Sequence, residues 1–421
     1  MRRYESYKDS GVEWLGEVPH CWDVKKVKNI FHLIVEPAAK NNQRELLSVY
    51  TDIGVKPRAE LEERGNKAST TDGYWIVRKG DIVVNKLLAW MGAIGLSEYD
   101  GVTSPAYDIL RPHQQINGKF FHYLFRTPLC LSEFKKNSRG IMDMRLRLYF
   151  EELGNIYIPF PSYPEQQKIA QFLDDKTAKI DQAVDLAEKQ IALLKEHKQI
   201  LIQNAVTRGL NPDVPLKDSG VEWIGQVPEH WEVKKMKFLF KDTSIKNKPD
   251  ATLLSVTQNR GVIPRNWLEE RTVMPSGNLE TFKFIQKDDF AISLRSFEGG
   301  LEICHHDGII SPAYTVLKYD KKFLNNGYYK YLFKCQKFIS EMQTSIVGIR
   351  EGKNISYEEL KYSFLPIPQI IEQQKIAQFL DEKTAKIDQA IALKTAHIEK
   401  LKEYKSVLIN DVVTGKVRVS V

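Results

Sequence analysis

At 421 residues, 42% of them hydrophobic, the chain exceeds one compact core and has ample apolar content for two or more, which excludes a disordered polymer. Lysine and arginine exceed aspartate and glutamate by seven (61 − 54), a mild basic excess that permits a polyanionic partner without demanding one. Cys21, Cys130, Cys304 and Cys335 form no C-x-x-C pair, the start M-R-R-Y-E-S-Y-K-D-S lacks the apolar core of a signal peptide, and no apolar run approaches the roughly 18 residues of a membrane span. These features predict a soluble cytoplasmic protein without a membrane partner.

Taken in order, the chain is written twice. K-D-S-G-V-E-W-L-G-E-V-P-H-C-W from Lys8 returns as K-D-S-G-V-E-W-I-G-Q-V-P-E-H-W from Lys217. The large aromatics Trp14, Trp22, Trp223 and Trp231 read as core anchors at the start of each half. L-L-S-V-Y-T-D-I-G-V-K-P-R from Leu46 then matches L-L-S-V-T-Q-N-R-G-V-I-P-R from Leu253, a short β run into a glycine-containing loop. The copies differ at the loop tip, where Tyr50, Thr51, Asp52 and Ile53 stand opposite Thr257, Gln258, Asn259 and Arg260. A further pair, from Gly80 and from Lys287, reads as a strand followed by a glycine-bearing turn; Asn85, Lys86 and Trp90 face Ile292, Ser293 and Phe297, and Arg295 has the apolar Leu88 as its counterpart. S-P-A-Y follows at Ser104 and Ser311, then amphipathic helices around Phe120–Arg126 and Gly327–Lys334. Polar or basic stretches from Arg139 and from Val347 close each domain, and proline-rich stops precede what comes next.

What comes next is the most faithful repeat. E-Q-Q-K-I-A-Q-F-L-D-D-K-T-A-K-I-D-Q-A at Glu165–Ala183 returns 207 residues later (372 − 165) with one change, Asp175 to Glu382. Half a chain is too long a period for a solenoid unit, so two whole half-molecules each carry one long helix. The first helix is predicted over Glu165–Arg208, on the order of 65 Å at about 1.5 Å per residue, with Pro164 suited to its first turn. A heptad seam through Leu173, Thr177, Ile180, Val184, Ala187, Ile191, Leu194, Lys198, Leu201 and Ala205 recurs in the second copy and predicts a coiled-coil pair. Lys198 and Lys405 share one seam position, where a lysine either fixes register or snorkels from the edge. The second half starts where the first helix stops, so by the same logic the C-terminal segment is expected beside residues 1–10.

Catalytic signatures are missing from the sequence. There is no P-P dipeptide for an amine-holding D-P-P-Y or N-P-P-Y loop, no G-x-G for a nucleotide cofactor and no G-x-x-x-x-G-K-[ST]. The E-x-K strings at Glu196–Lys198 and Glu403–Lys405 fall inside the helical repeat and read as heptad surface charge. Cys304, His305, His306 and Asp307 look like a metal cluster, but their counterpart Ser97, Glu98, Tyr99, Asp100 shares only the D-G that follows, so a turn is expected and no metal.

With W-x-G-x-V-P-x-x-W at each domain start and P-x-P followed by E-Q-Q-K-I-A-Q-F-L-D at each domain end, the whole chain resembles the specificity subunit of type I restriction-modification systems. That resemblance implies an α+β fold of two mixed α/β target recognition domains, at 1–160 and 212–366, joined by long antiparallel coiled-coil helices at 161–211 and 367–421 in a pseudo-twofold circular arrangement. It further implies a non-enzymatic chain that binds double-stranded DNA, recruits two methyltransferase (modification) subunits and joins endonuclease/translocase subunits. S-adenosylmethionine, ATP and magnesium are then expected in the partners, with no cofactor in this chain. Gln166, Gln167, Phe172, Gln373, Gln374 and Phe379 of the duplicated helices are expected to dock those partners and serve as spacer.

Sequence choice is expected where the halves disagree. Arg295, Arg260, Arg350 and Lys86 are assigned to guanine O6/N7, and Gln258, Asn259, Asn354 and Asn85 to adenine. Arg58, Arg265, Arg139, Arg145 and Arg147 are assigned to phosphates. For each, a solvated surface role is the competing reading. The rival function is a coiled-coil scaffold whose paired domains bind proteins; a stand-alone methyltransferase or nuclease is disfavoured by the missing motifs.

Overall fold

A computed structural model of the chain describes residues 2–60, 71–141, 145–268, 278–347 and 354–419. Two compact units emerge, and neither is a plain N- or C-terminal half: one comprises Met1–Ala187 with Ala396–Val421, the other Glu188–Thr395. The cuts fall inside the two long helices, Tyr163–Arg208 and Ile370–Val413. Each unit therefore owns a recognition domain, the opening half of the helix that follows it and the closing half of the other helix.

The first unit is built on an antiparallel sheet in the spatial order Phe31–Ile34, Tyr107–Pro112, Ile82–Asn85, Ile94–Leu96. The second repeats that order with Phe240–Thr243, Thr315–Tyr319, Phe290–Ile292, Glu302–Ile303. In each, one sheet face packs on a short helix rich in aromatics, Gly118–Phe125 or Asn326–Leu332. Asn117 and Asn325 cap these helices, their side-chain oxygens accepting from Phe120 N at 3.3 Å and Tyr328 N at 3.2 Å. Pro128, preceded by the capping Thr127, opens the next helix, Pro128–Asn137.

The cores explain the unit boundaries. Trp22, Phe31, Phe120, Phe121 and Phe134 cluster with Ile169, Leu173 and Ile180 from the start of the first long helix and with Leu408, Val412 and Val413 from the end of the second. The other unit mirrors this, Trp231, Phe240, Phe290, Tyr328 and Phe338 packing with Ile376 and Leu380 and with Ile202, Ala205 and Val206. Trp14 is only partly buried, but all four duplicated tryptophans belong to these clusters, as expected.

The heptad seam is thus divided in purpose. Its opening third faces the recognition domain: Thr177 and Thr384 sit 3.2 Å and 3.0 Å from the hydroxyls of Tyr123 and Tyr331. Its last residues, Leu201 and Ala205, pack in the core of the second unit, and its middle faces another helix. In the second unit Lys394 Nζ donates to Gln190 Oε1 at 2.6 Å and Lys198 Nζ to both Asp388 oxygens at 2.7 Å, a pairing whose numbers run in opposite directions, so the helices are antiparallel. In the first unit Lys405 Nζ reaches both Asp181 oxygens at 2.7 Å. Each seam lysine is half-buried and its ammonium reaches an aspartate of the other helix, the arrangement expected of a lysine leaving the seam edge.

The chain ends meet in the first unit. Arg418 N donates to Arg2 O at 2.8 Å and the Tyr7 hydroxyl to Lys416 O at 3.1 Å. Gly415 has φ +80°, and an added Cβ would lie 2.4 Å from Pro19 and 3.0 Å from Trp22, so the turn out of the helix tolerates only glycine against that wall.

Candidate nucleic-acid interface

In the first recognition domain two loops lie together. The hairpin of Leu47–Tyr50 and Gly54–Pro57 carries exposed Thr51, Asp52 and Ile53 at its tip. Beside it runs the segment after strand Ile82–Asn85, where Leu87, Leu88 and Met91 are exposed before Gly92 turns the chain at φ +100°. The loops are close enough that a Cβ on Gly92 would lie 2.9 Å from Thr51 O. Arg126, at the end of the short helix, bonds both: its Nη1 donates to Gly92 O at 2.7 Å, Ile94 O at 3.2 Å and Tyr50 O at 3.4 Å, and its Nη2 to Thr51 O at 2.8 Å. Next to it, His122 fills a seat made by Gly54 and Gly95, each of whose added Cβ would come within 2.9 Å of the ring. Leu96 N donates to His122 Nδ1 at 3.3 Å, and burial pushes the imidazole pKa down to about 4, so the ring is a neutral spacer.

The second domain solves the same problem with different residues. Its hairpin, Leu254–Thr257 with Gly261–Pro264, exposes Gln258, Asn259 and Arg260. Lys334 takes the place of Arg126: its Nζ donates to Gln258 O at 3.0 Å and pairs with the Glu302 carboxylate. Gln258 Nε2 donates to Arg295 O at 3.3 Å, tying the tip to the neighbouring loop. Gly300, at φ +82°, lies so near Phe333 O that an added Cβ would be 2.0 Å away. His305, rather than a helix residue, packs on the hairpin glycine, 2.9 Å from the Cβ position of Gly261.

Glu302 is nearly fully buried, and burial pushes its carboxyl from 4.5 up to about 7 against the opposing pull of the Lys334 ammonium. A raised carboxyl means the folded state holds the extra proton between those two values, so the second unit loses stability as pH rises from 4.5 to about 7. Glu302→Gln is expected to flatten that segment of the profile. Urea midpoints across the interval test it; an unchanged slope would remove Glu302 as the cause.

The other sequence-predicted residues fall into four groups. Arg295, Asn259 and Arg260 are exposed at the paired loops; Arg260 Nη1 reaches Trp267 O at 3.4 Å, while the Arg295 guanidinium and the Asn259 amide have no hydrogen-bond partner among the described residues. Arg139 and Arg147 bridge each other through backbone hydrogen bonds of 2.9 Å each way; Arg145 is exposed and Ile141 fully so, and Arg139 also pairs with Glu152. Arg58 and Arg265 occupy equivalent positions at the end of each hairpin, half-buried, their N–H groups on Leu46 O and Leu253 O, and neither side chain is free. Asn354 opens a short strand, half-buried, and Arg350 lies outside the described residues.

Several expectations need correction. Asn85 is buried, and its Oδ1 accepts from Leu87 N at 3.1 Å, so its amide shapes the turn instead of presenting an edge to a base. Lys86 is spent on Asp108, 3.2 Å away, and on Pro105 O at 3.1 Å. Gln166 and Gln373 are fully buried and point inward. Gln166 accepts from Asn117 N at 2.9 Å and donates to Pro161 O at 2.8 Å; Gln373 accepts from Asn325 N at 2.7 Å and donates to Pro368 O and Phe323 O at 2.9 and 3.0 Å. They fasten each domain to its helix and are not available to a partner. Gln167 and Gln374 are exposed, and Phe172 and Phe379 half-buried with Lys176 and Lys383 each 5.7 Å above the ring. At Cys304–Asp307 the thiol bonds His306 O, His306 packs on Trp267 and Asp307 accepts from Lys287 N, so the side chains diverge as a turn requires.

Arg126, Lys334 and His122 escaped sequence reading. The signal was present as Y-L-F-R at Tyr123–Arg126 and Y-L-F-K at Tyr331–Lys334, a basic residue kept at the end of the same short helix in both halves.

Residues 19–195 match the type I restriction modification DNA specificity domain. Similar chains in Methanocaldococcus jannaschii include the type I restriction enzyme MjaVIII specificity subunit, 25% identical over 80% of this chain and 81% of that one, and the MjaIX specificity subunit, 23% identical over 96% and 95%. Among solved structures, a chain from work on complex assembly and conformational transition of the type I R-M system aligns at a TM-score of 0.70, 14% identity, over 95% of this chain and 99% of that one. The HsdS subunit from Thermoanaerobacter tengcongensis aligns at 0.56, 13% identity, over 95% and 98%.

Proposed function

We propose that the chain is a specificity subunit of a type I restriction-modification system and reads a bipartite, asymmetric DNA sequence with its two recognition domains, a reading supported by the specificity-domain match over residues 19–195 and by the similar specificity subunits. The observation that carries this reading is the repetition of one loop frame with different side chains on it: Thr51, Asp52 and Ile53 in one domain, Gln258, Asn259, Arg260 and Arg295 in the other. Two unlike reading surfaces call for two unlike half-sites. The long helices then act as the spacer between the half-sites, so that the intervening DNA is measured and not read.

In this reading the outward faces of the duplicated helices dock two copies of one modification subunit. Gln167 with Phe172 and Gln374 with Phe379 repeat 207 residues apart (374 − 167), flanked by the matching pairs Gln171–Asp175 and Gln378–Glu382. The chain itself is non-catalytic; adenine methylation with S-adenosylmethionine, and ATP- and magnesium-dependent translocation and cleavage, belong to the modification and endonuclease subunits of a cytoplasmic complex. Flipping the target base costs a few kcal/mol, which domains gripping the flanking pairs help to offset.

Co-purification with the modification subunit, followed by sequencing of the adenines it methylates, tests the proposal. A two-part motif with a fixed gap supports it; binding retained at high salt with no sequence preference favours a protein-binding scaffold instead. Arg295→Ala is expected to relax one position of one half-site by about 1–3 kcal/mol. A uniform loss over all sequences, with a shallower salt slope, would assign Arg295 to a phosphate.

A further inference from the structure

We infer that Arg126 and Lys334 are positioning residues for specificity, each setting the reading loops of its own domain without touching DNA. The inference rests on the DNA-reading function proposed above and adds where that function is mechanically controlled.

Both residues are basic, both lie beside the exposed tips, and by type alone both would be taken for phosphate ligands. Their surroundings say otherwise. The Arg126 guanidinium is largely buried, with its two terminal nitrogens on four backbone carbonyls drawn from the hairpin and from the adjoining loop. Burial lowers its pKa from the ordinary arginine value, with the Asp52 carboxylate acting in the opposite direction. Lys334 has Gln258 O on one side and the buried Glu302 carboxylate on the other. A single ammonium cannot span four carbonyls, and the carboxylate stands where the first domain has Gly95 (302 − 207), so charge pairing replaces the bidentate fork.

Each cation also terminates a continuous series of contacts that starts on the long helix. Gln166 holds the backbone of Asn117, Asn117 caps the short helix, Tyr123 from that helix donates to Asp174 at 2.8 Å, and Arg126 at its end grips the loops. In the second domain the series is Gln373, Asn325, Tyr331 to Asp381 at 2.7 Å, then Lys334. The tip side chains are therefore referenced to the helix of their own unit and not merely to the local hairpin. A base-reading side chain must be held within a fraction of an ångström of its partner, and these cations do the holding.

The test uses the chain assembled with its modification subunit, comparing Arg126→Met, Arg126→Lys, Lys334→Met and Lys334→Arg with the unsubstituted protein. Methylated sites are sequenced, and the salt dependence of DNA binding and the melting temperature are recorded. Arg126→Met is expected to raise methylation of one-base mismatches in a single half-site about tenfold, within what one base pair is worth, with the other half-site and the salt slope unchanged. Lys334→Met is expected to relax the opposite half-site, and Lys334→Arg to preserve it. If Arg126→Met does not assemble, Arg126→Lys keeps the charge, loses the fork and is expected to relax the same half-site to a smaller degree. Unaltered discrimination in both halves, equal relaxation of both, or a salt slope reduced by about one would overturn the positioning role. Absence of any sequence-specific methylation by the unsubstituted assembly would instead refute the DNA-reading function itself.

Discussion

Gln373→Ala is expected to destabilise the second unit by about 3 kcal/mol, whereas Gln374→Ala, one residue on, is expected to change stability by no more than about 0.5 kcal/mol. The difference lies in what the two amides touch. Gln373 is fully buried and satisfies one backbone donor, Asn325 N, and two backbone acceptors, Pro368 O and Phe323 O. Truncation leaves those groups without a side-chain partner, and each such buried group costs about 1–3 kcal/mol, reduced where water enters the space vacated. Asn325 is also the helix cap, so a shift there propagates into the short helix that ends at Lys334. The equivalent Gln166 holds one donor and one acceptor, so Gln166→Ala is expected to cost the first unit less, about 2 kcal/mol. Urea unfolding followed by tryptophan fluorescence measures both. Equal losses from Gln373→Ala and Gln374→Ala would show that the glutamine pair is ordinary helix surface.

That glutamine pair marks how far the sequence could be read. The long helices, the paired hairpins and the junction of the chain ends were legible because each rests on a pattern that repeats: a heptad seam, a β run before a glycine, an offset of 207 residues (372 − 165). A glutamine in a helix carries no such sign of burial. Gln166 and Gln167 are identical in type and adjacent, and only the direction of the helix face separates a staple from an exposed amide. The heptad pattern likewise predicts an apolar stripe without saying what covers it; Leu173 and Leu380 are buried in the cores of their own recognition domains. Arg126 was opaque for another reason. Its partners are backbone carbonyls, which every residue carries, so no residue pattern announces them. Asn85 and Lys86 were misread because they differ between the halves, yet one closes a turn and the other neutralises Asp108. Difference between copies marks where function can diverge, but it also marks where two domains fold the same turn by different means.

The largest structural effect is expected from removing residues 396–421, and it falls on the far end of the sequence. Such a truncation leaves the second unit, Glu188–Thr395, with all its own residues. From the first unit it takes Leu408, Val412 and Val413, all essentially buried against a core that includes Trp22 and Phe120. At about 2 kcal/mol for each fully buried aliphatic side chain, the loss is about 6 kcal/mol, comparable to the whole stability of a typical domain. The Lys405–Asp181 pair and the Arg418–Arg2 strand contact go as well. The N-terminal recognition domain is therefore expected to unfold when the C-terminus is removed, while the later recognition domain survives. Limited proteolysis with mass spectrometry reads this directly: peptides from residues 1–187 should appear early and those from 188–395 at the rate seen in the full chain. The paired substitution Leu408→Ala with Val412→Ala is expected to act in the same direction without shortening the helix, and Val407→Ala, on the exposed face, to do nothing measurable. A truncated protein whose first 187 residues stay protected, or one in which both units are digested together, would mean that the cores are not partitioned between the helices in this way.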